Sequence, residues 1–368
     1  MKILILEPFF SGSHQQWAEG YQRHSAHDVE ILSLKGRHWK WRMFGGAVSL
    51  ASDFMASDLN PDLLLATDML DLTTFLSLTR SRTQGIPVAV YFHENQITYP
   101  WKGEKSGADS ELNRQYGFIN YTTALSADKV FFNSQYHLES FLHGLKTFLK
   151  AFPDRQELQN VEVIRKKSTV LHLGMDLSEF DAYKKTRSVD VPVLLWNHRW
   201  EYDKNPELFF NTLFRLKSEG VSFKLIVLGE SYKNSPPVFE EARNKLKGEI
   251  LHFGFAESRQ VYGELLHTAD ILPVTSNQDF FGGSAVEAIY CNCYPILPDR
   301  LAFPEHIPDR FKNDHIYNSD DLFYQMLKNV IVKRLFLNQP HSYKNFVTKY
   351  DWSTLAANYD QALQIPTQ

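Results

Sequence analysis

Residues 276–288 read SNQDFFGGSAVEA and follow directly on an apolar run at 270–274. The apolar run predicts a buried strand, and the pattern after the glycines predicts an amphipathic helix that begins near Ser284. Gly282 and Gly283 lie between these two elements, where the absence of a Cβ lets the backbone approach a ligand closely. The stretch therefore predicts a strand–loop–helix unit, which is the repeating element of an open α/β sheet.

Two acids, Asp279 and Glu287, flank the glycine pair and would supply hydrogen-bond acceptors for the hydroxyls of a sugar or a ribose. The N–H groups at the start of the predicted helix suit an anion such as a phosphate. The alternative is an ordinary strand-to-helix loop with two solvated acids, and the stretch alone leaves both open.

The same alternation of short apolar runs and helical patterns occurs twice along the 368 residues. It predicts two doubly wound, Rossmann-like α/β domains that face a central cleft. We expect the domains at 1–180 and 190–349, joined by the charged segment 181–190. Apolar residues at helical spacing within 350–368 predict a last helix that packs back on the first domain.

The composition limits the class of partner. A formal charge of −4 argues against a chain-wide electrostatic grip on nucleic acid, although it leaves room for a local basic patch. Two cysteines, Cys291 and Cys293, are too few for a disulfide framework, and their spacing does not match a zinc site. Met1 leads straight into a strand-like segment, with no signal peptide and no membrane span, so we expect a soluble, cytoplasmic protein.

Two cations, Arg199 and Lys204, follow the strand predicted at 191–196. They could clamp a diphosphate, the arginine through its planar fork and the lysine as a point charge. Cations for a diphosphate beside acids for hydroxyls indicate a nucleotide-sugar site. The alternative is that these cations form surface ion pairs with Glu201 or Asp203.

Polar residues also follow two predicted strands of the first half, at 2–6 and 87–92. Side chains at the carboxyl ends of strands are the ones that reach ligands in α/β sheets. His14 could contact the acceptor or the donor sugar, or it could simply begin a helix. The residues concerned are Gly12, Ser13, His14, His93, Glu94, Asn95 and Gln96.

Residues 35–46 read KGRHWKWRMFGG, in which basic and aromatic residues alternate. We expect a loop whose cations hold phosphates and whose tryptophans stack on bases, as in an RNA-binding surface. The alternative is a solvated loop whose tryptophans pack on their own domain. The residues assigned to an RNA acceptor are Lys35, Arg37, Trp39, Lys40, Trp41 and Arg42, together with Asn95 and Gln96.

The second half resembles the retaining GT-B glycosyltransferases of family 4. The resemblance rests on Arg199-x4-Lys204-Asn205-Pro206, the Gly254-Phe255 turn and the acid motif Asp279 to Glu287-Ala288. In that family the second acid binds the ribose of the nucleotide, and the first, normally Glu, contacts the donor sugar. Asp279 departs from this pattern by being one methylene shorter. We assign the nucleotide-sugar donor to Gly12, Ser13, His14, Arg199, Lys204, Gly229, Gly254, Phe255, Asp279, Gly282, Gly283, Ser284 and Glu287.

The first half narrows the resemblance. Residues 7–15, 93–100 and 196–206 read EPFFSGSHQ, HENQITYP and WNHRWEYDKNP, and they are similar to blocks of the tRNA-queuosine mannosyltransferases. The similarity runs from Met1 to the last predicted helix. It implies transfer of mannose from GDP-mannose, with retention, to the cyclopentenediol of queuosine at the wobble position of an aspartate tRNA.

Such a transfer gives expectations for the catalytic residues. No carboxylate nucleophile is evident, so we expect front-face attack, with the leaving diphosphate stabilised by Arg199, Lys204 and the helix terminus. We expect His93 to contact the donor sugar and Glu94 to orient the acceptor hydroxyls. The alternatives are a His93 that only braces its loop and a nucleophilic Glu94. No Asp-x-Asp motif ends a strand, so we expect no cofactor and metal-independent transfer.

Two other functions stay open on the sequence. One is a family 4 glycosyltransferase with another nucleotide-sugar donor and a lipid or polysaccharide acceptor, which usually needs a basic amphipathic helix on the amino-terminal domain. The other is a non-catalytic module that binds a nucleotide sugar or RNA.

Overall fold

The computed structural model describes residues 1–100, 108–184, 190–230, 235–337 and 342–365. The chain divides into two compact units: unit 1 is Met1–Met175 with Trp352–Gln368, and unit 2 is Asp176–Asp351. The boundary between Met175 and Asp176 comes before the linker predicted at 181–190. The reason is that Ser178–Tyr183 forms a 3₁₀ helix of unit 2, in which Phe180 is buried. Residues 185–189 of the predicted linker lie outside the described residues.

Unit 1 contains a parallel sheet. Its strands are β1 Lys2–Phe10, β2 Asp28–Lys35, β3 Leu63–Thr67, β4 Val88–Phe92, β5 Lys129–Phe132 and β6 Ser168–Val170. Within the described residues these six strands pair in the order β2-β1-β3-β4-β5-β6. The central strands β3 and β4, LLLAT and VAVYF, are buried along their whole length, as expected where helices cover both faces of a parallel sheet.

The strand order reverses at β1, which pairs with β2 on one side and with β3 on the other. Open α/β sheets bind ligands at such a switch point, at the carboxyl ends of the strands. The helices that follow the strands in this part of unit 1 are α1 Gly12–His24, α2 Trp39–Ala56, α3 Leu72–Thr83, α4 Ala108–Ser126, α5 Gln135–Lys150 and α6 Asn160–Lys167.

The loop predicted after the first strand is wrong in its bounds. β1 continues to Phe10, which pairs with Lys35 of β2 after a register shift. Helix α1 begins at Gly12, so Gly12, Ser13 and His14 form its first turn instead of a loop before it.

The basic and aromatic segment is also not the loop that the sequence predicted. Helix α2 begins at Trp39, so Trp39, Lys40, Trp41 and Arg42 are helical and residues 36–38 make the connection. The helix carries an apolar stripe at helical spacing, which is buried and begins only after the basic and aromatic first turn. The stripe comprises Met43, Ala47, Leu50, Ala51 and Phe54.

Unit 2 contains a second parallel sheet. Its strands are β7 Val193–Asn197, β8 Lys224–Leu228, β9 Ile250–Gly254, β10 Ile271–Pro273, β11 Tyr294–Pro298 and β12 Ile316–Tyr317. Over the described part of the unit they pair in the order β12-β11-β10-β7-β8-β9. The order reverses between β7 and β10, so the carboxyl ends of these two strands mark the expected ligand site.

The helices of unit 2 lie between these strands. They are α7 Pro206–Ser218, α8 Val238–Lys245, α9 Arg259–Thr268, α10 Gly283–Tyr290, α11 Lys312–His315, α12 Asp320–Val332 and α13 Lys344–Val347. Cys291 and Cys293 follow α10 and are both buried. Across the described ranges of both units, no helix combines the length and the apolar character that crossing a bilayer requires.

The last helix, α14 Trp352–Ala362, belongs to unit 1. The residues predicted at helical spacing, Trp352, Leu355, Tyr359 and Leu363, are all buried. The Trp352 ring lies so close to Gly20 of α1 and to Gly174 that a Cβ at either glycine would come within 2.1–2.4 Å of it. Glycine at these two places is therefore what admits the indole.

Candidate active site

The segment after β7 carries both predicted cations of unit 2. Lys204 is buried, and its Nζ lies 3.1 Å from Asp279, 3.2 Å from Asp203 and 2.5 Å from the Gln278 carbonyl oxygen, to which it donates. Lys204 therefore does pair with Asp203, as the alternative named, but the pair is largely buried and Asp279 shares it.

Arg199, the other predicted cation, is an exposed residue. Its Nη2 lies 3.5 Å from the Glu201 carboxylate, which is one of the pairs that the alternative named. Such an exposed pair is weak, so Glu201 competes little with an anionic ligand for this guanidinium.

The loop after β10 leads into α10 through the predicted glycines. Gly282 has φ +84 and precedes the first helical residue, Gly283. A Cβ at Gly282 would lie 2.8 Å from the Phe303 ring, so both the backbone conformation and the space favour glycine. Asp279 lies three residues before Gly282, and the start of α10 therefore comes close to the Lys204–Asp279 pair in sequence and in space.

Ser284, the second residue of α10, ties this helix to the end of β7. The Asn197 side-chain amide donates to the Ser284 carbonyl oxygen at 2.6 Å, and the Ser284 Oγ lies 3.0 Å from His198 Nδ1. Asn197 and His198 were not among the sequence-predicted site residues, although the block that includes them was noted for its similarity. Their position at the carboxyl end of β7 is the signal that could have identified them.

Glu287, the predicted ribose ligand, is a buried residue of α10 that is held by two side chains of α9. Arg259 Nη1 donates to it at 2.8 Å and the Tyr262 hydroxyl at 2.7 Å. Burial and the charge of Glu287 raise the pKa of Tyr262 well above its ordinary value. For Arg259, burial would lower the pKa, but the adjacent carboxylate raises it. Both groups therefore keep their protons and donate to the Glu287 carboxylate, which fixes its position.

No sequence pattern indicates that Arg259 and Tyr262 are the partners of Glu287. The two residues are three apart at the start of α9, so they share one helical face. The nearest sequence pattern is the Gly254-Phe255 turn just before α9. The prediction assigns this turn to the donor but does not include Arg259 and Tyr262. Gly254 has φ +136 at the end of β9, and Phe255 is 71% exposed.

Gly229, another predicted donor contact, follows β8 with φ +131. A Cβ on this residue would lie 2.0 Å from the backbone oxygen of His198. Glycine is thus required here by the close approach of two backbones, independently of any ligand.

In unit 1, the predicted histidines form a cluster with an acid of β1. His14 Nδ1 lies 3.0 Å from a carboxylate oxygen of Glu7, and the rings of His14 and His93 are 4.2 Å apart, centre to centre. Burial would lower the pKa of His14, but the charge and hydrogen bond of Glu7 raise it to about 9. His93 has the opposite shift, because burial and the charge of His14 lower its pKa well below the ordinary value.

Asp68 completes this cluster, and no sequence pattern predicts it as a site residue. It directly follows β3 and accepts a hydrogen bond of 2.7 Å from the backbone N–H of His93 on one oxygen. The other oxygen, Oδ2, is buried and has no hydrogen-bond partner among the residues that the structure describes. Burial raises the pKa of Asp68 to about 8, with His14 opposing and Glu94 adding to the shift.

The ligand atoms of Glu7, His14 and His93 lie within 4.8 Å of one another, which is close enough for one metal ion. The hydrogen bond between Glu7 and His14 already satisfies two of these groups without a metal. Metal independence stays a prediction.

The residues after His93 differ in how accessible they are. Glu94 is half-buried and accepts a hydrogen bond of 2.8 Å from the Gln96 amide, while Gln96 itself is buried. Asn95 is fully buried, and its Oδ1 accepts from the backbone N–H groups of Ile97 and Thr98. Asn95 therefore holds the turn and is not on the accessible surface where an acceptor contact was predicted.

The predicted RNA-contacting residues divide into two groups at the start of α2. Trp39 packs its ring 5.6 Å from that of Tyr116, which is the behaviour that the alternative described. Trp41 is instead 64% exposed. Lys35, Arg37 and Lys40 are exposed, whereas the half-buried Arg42 donates to the Lys35 backbone oxygen. This surface, Lys35, Arg37, Lys40 and Trp41, is called the basic patch below.

Sequence comparison extends these observations to both units. Residues 2–175 match the profile described as tRNA-queuosine alpha-mannosyltransferase N-terminal, and residues 178–321 match that of glycosyl transferases group 1. The chain is 36% identical over 347 residues to a tRNA-queuosine alpha-mannosyltransferase of Drosophila melanogaster. That match covers 92% of this chain and 89% of the fly protein.

Solved structures with low sequence identity share the fold. The sucrose-phosphate synthase of Thermosynechococcus elongatus matches with a TM-score of 0.71 and 12% identity, covering 98% of each chain. Anabaena Alr3699/HepE in complex with UDP matches with a TM-score of 0.61 and 16% identity, covering 99% of this chain and 96% of that one. These likenesses show the fold alone, which is GT-B, as the sequence predicted.

Proposed function

We propose that this chain, which belongs to the tRNA-queuosine alpha-mannosyltransferase family, transfers mannose from GDP-mannose to the queuosine of tRNA(Asp) with retention. The chain is a glycosyltransferase, as its family and the match of its second unit show. The acceptor atom in the proposal is a hydroxyl of the cyclopentenediol of queuosine, at the wobble position of the anticodon. The identity to the fly protein over 92% of this chain is the observation that carries the proposal.

The geometry of unit 2 supports a nucleotide-sugar donor. Glu287 is held in place by Arg259 and Tyr262, so its oxygens can accept hydrogen bonds from vicinal hydroxyls of a ribose. The start of α10 offers N–H groups to a diphosphate, and Arg199 adds a guanidinium at the end of β7.

Lys204 has a different role in this proposal from the simple phosphate clamp expected from the sequence. Two carboxylates already surround its ammonium, and one of them is Asp279. We propose that Lys204 holds Asp279 in place, so that Asp279 can bind hydroxyls of the mannose. Its positive charge also offsets part of the repulsion between this acid and the leaving diphosphate.

The chemical step in the proposal is front-face attack by the acceptor hydroxyl. The bond between the anomeric carbon and the diphosphate breaks, the new glycosidic bond forms on the same face, and an oxygen of the leaving diphosphate takes the acceptor's proton. The neutral His93 would accept or donate one hydrogen bond to the mannose, and Glu94 would orient the acceptor's hydroxyls. Retention then follows without a covalent intermediate.

The basic patch supports an RNA acceptor. Three exposed cations and an exposed tryptophan lie within seven residues of one another, although the whole chain carries a formal charge of −4. Cations release counterions from phosphates, and an exposed indole can stack on an unpaired base, as in an anticodon loop. We also propose that the enzyme acts on this tRNA in the cytoplasm.

The direct test is incubation with labelled GDP-mannose and queuosine-containing tRNA. We expect label in the tRNA with GDP-mannose, and none with UDP-glucose or with queuosine-free tRNA. NMR of the released mannosyl-queuosine should show the α-anomer, as in the donor. Label in the queuosine-free tRNA, or a β-anomer, would contradict the acceptor or the retention respectively.

A charge-matched pair of variants tests the basic patch. Arg37→Ala with Lys40→Ala should weaken tRNA binding and lower the slope of log affinity against log salt by about 2, while GDP binding is unchanged. The control is Arg165→Ala with Lys166→Ala, which removes two exposed cations of α6. Equal losses from both double variants would count against the patch.

Metal independence has its own measurement. We expect full transfer in the presence of EDTA, because the cations of the chain stabilise the leaving diphosphate. Loss of transfer on chelation that Mg²⁺ or Mn²⁺ reverses would refute this part of the proposal.

A further inference from the structure

His198 lies where two elements of the proposed donor site meet, and the proposal so far gives it no role. Its backbone is fixed at the end of β7: the carbonyl oxygen accepts a hydrogen bond of 3.0 Å from Trp196 Nε1. The same oxygen faces Gly229, where any larger residue would collide with it. The side chain is 5% exposed, so the backbone and the packing together leave it little freedom.

One ring nitrogen of His198 is satisfied and the other is not. Nδ1 lies 3.0 Å from the hydroxyl of Ser284, the second residue of α10. Nε2 is buried and finds no hydrogen-bond partner within the described parts of the chain. A buried donor or acceptor without a hydrogen-bond partner destabilises the folded protein. Where a native protein keeps such an atom, the explanation lies outside its internal contacts.

The ring is neutral in the folded protein. Burial lowers the pKa of His198 to about 4, and Lys204 adds to this effect, while Asp279 and Asp203 oppose it. A neutral imidazole carries one proton. If the Ser284 hydroxyl donates to Nδ1, that proton is on Nε2, and the buried nitrogen without a partner is a hydrogen-bond donor.

We propose that His198 binds an anionic oxygen of the donor's diphosphate through its Nε2–H, beside the start of α10. The inference rests on the proposed function, since it assumes that unit 2 binds a nucleoside diphosphate sugar. It extends that function by adding His198 to the residues that bind the diphosphate. Neither the predicted cations nor the acid motif includes this residue.

The surroundings explain why a neutral donor is useful at this place. Lys204 is already paired with two carboxylates, so the Lys204–Asp203–Asp279 group has an excess of negative charge. The N–H groups of a helix start and of a neutral imidazole attract an anion although they carry no formal charge. Unlike Lys204, they therefore need no carboxylate beside them. Ser284 connects both, because it belongs to the helix start and its hydroxyl lies 3.0 Å from Nδ1 of the ring.

The test compares three variants by calorimetric binding of GDP and of guanosine, which lacks the phosphates. His198→Leu should weaken GDP binding about tenfold or more and leave guanosine binding unchanged, because it removes one hydrogen bond to a charged group. His198→Gln restores an N–H donor and should recover most of the GDP affinity. The control His315→Leu replaces another buried histidine of unit 2, which is bonded to the Pro295 carbonyl, and should leave GDP affinity unchanged.

A stability measurement separates this role from a structural one. Without ligand, His198→Leu should melt close to the temperature of the unaltered protein, because leucine removes the unsatisfied buried nitrogen but also the partner of the Ser284 hydroxyl. A lower melting temperature together with equal losses of GDP and guanosine affinity would overturn the inference.

The result also distinguishes this inference from the proposed function. If the unaltered protein binds neither GDP nor GDP-mannose, the proposed donor is wrong. If the unaltered protein binds GDP and His198→Leu binds it equally well, the donor stands and the role of His198 is refuted.

Discussion

Lys204→Met leaves the carboxylates of Asp203 and Asp279 facing each other without the ammonium that lies 3.2 and 3.1 Å from them. Removing one partner of a fully buried ion pair costs about 3–5 kcal/mol. The lysine side chain is 8% exposed, but the two carboxylates are 18% and 20% exposed, so water screens part of the repulsion that results. We therefore expect the free energy of unfolding of unit 2 to fall by about 2 kcal/mol.

Amide hydrogen exchange is the suitable assay, because it reports each unit separately. A loss of about 2 kcal/mol corresponds to exchange about thirtyfold faster for the slowest amides of β7, β10 and α10. The amides of β3 and β4 in unit 1 are the internal control and should exchange as before. Lys204→Met with Asp279→Asn should recover part of the protection, since it removes one of the two negative charges, while transfer activity stays lost. Acceleration of less than about threefold for Lys204→Met would refute the reasoning, because it would mean that the pairs contribute little.

Two further perturbations test unit 1. Glu7→Gln should lower the pKa of His14 from about 9, as measured by NMR of ¹⁵N-histidine. Because the folded pKa exceeds the ordinary 6.5, the stabilisation from this pair is present below about pH 6.5 and is lost as the pH rises through 9. An unchanged pKa, or an unchanged pH profile of stability, would contradict the pairing. Trp352→Ala should lower the free energy of unfolding by about 3–5 kcal/mol in urea, because the Trp352 ring fills the space at Gly20. The exposed Trp41→Ala should change it by less than about 0.5 kcal/mol, and equal effects of the two tryptophan variants would argue against the packing of α14.

The fold could be predicted because buried parallel strands read as continuous apolar runs. β3 and β4 are examples, and each contains residues that are buried on both faces of the sheet. The start of α2 could not be predicted in the same way. Its first turn is basic and aromatic, and the helix is specified by apolar residues such as Met43 and Ala47 that come later in the chain.

The candidate site could be predicted in its charged residues but not in their partners. Asp279 and Lys204 were assigned separately, to hydroxyls and to a diphosphate, and the structure shows them as a pair. Likewise, nothing in the spacing of Glu287 indicates that Arg259 and Tyr262, on another helix, hold it. Residue spacing reports neighbours within one element, whereas these contacts depend on how different elements pack.

The position of Trp352 also affects the order of events during protein synthesis. The ribosome releases Met1–Met175 first, but the indole that fills the space at Gly20 and Gly174 comes after all of Asp176–Asp351. Until then, the α1 face that receives α14 is without its apolar cover, including the buried rings of Trp17 and Tyr21. The amino-terminal unit is therefore expected to need chaperone protection for as long as the carboxyl-terminal unit is being translated.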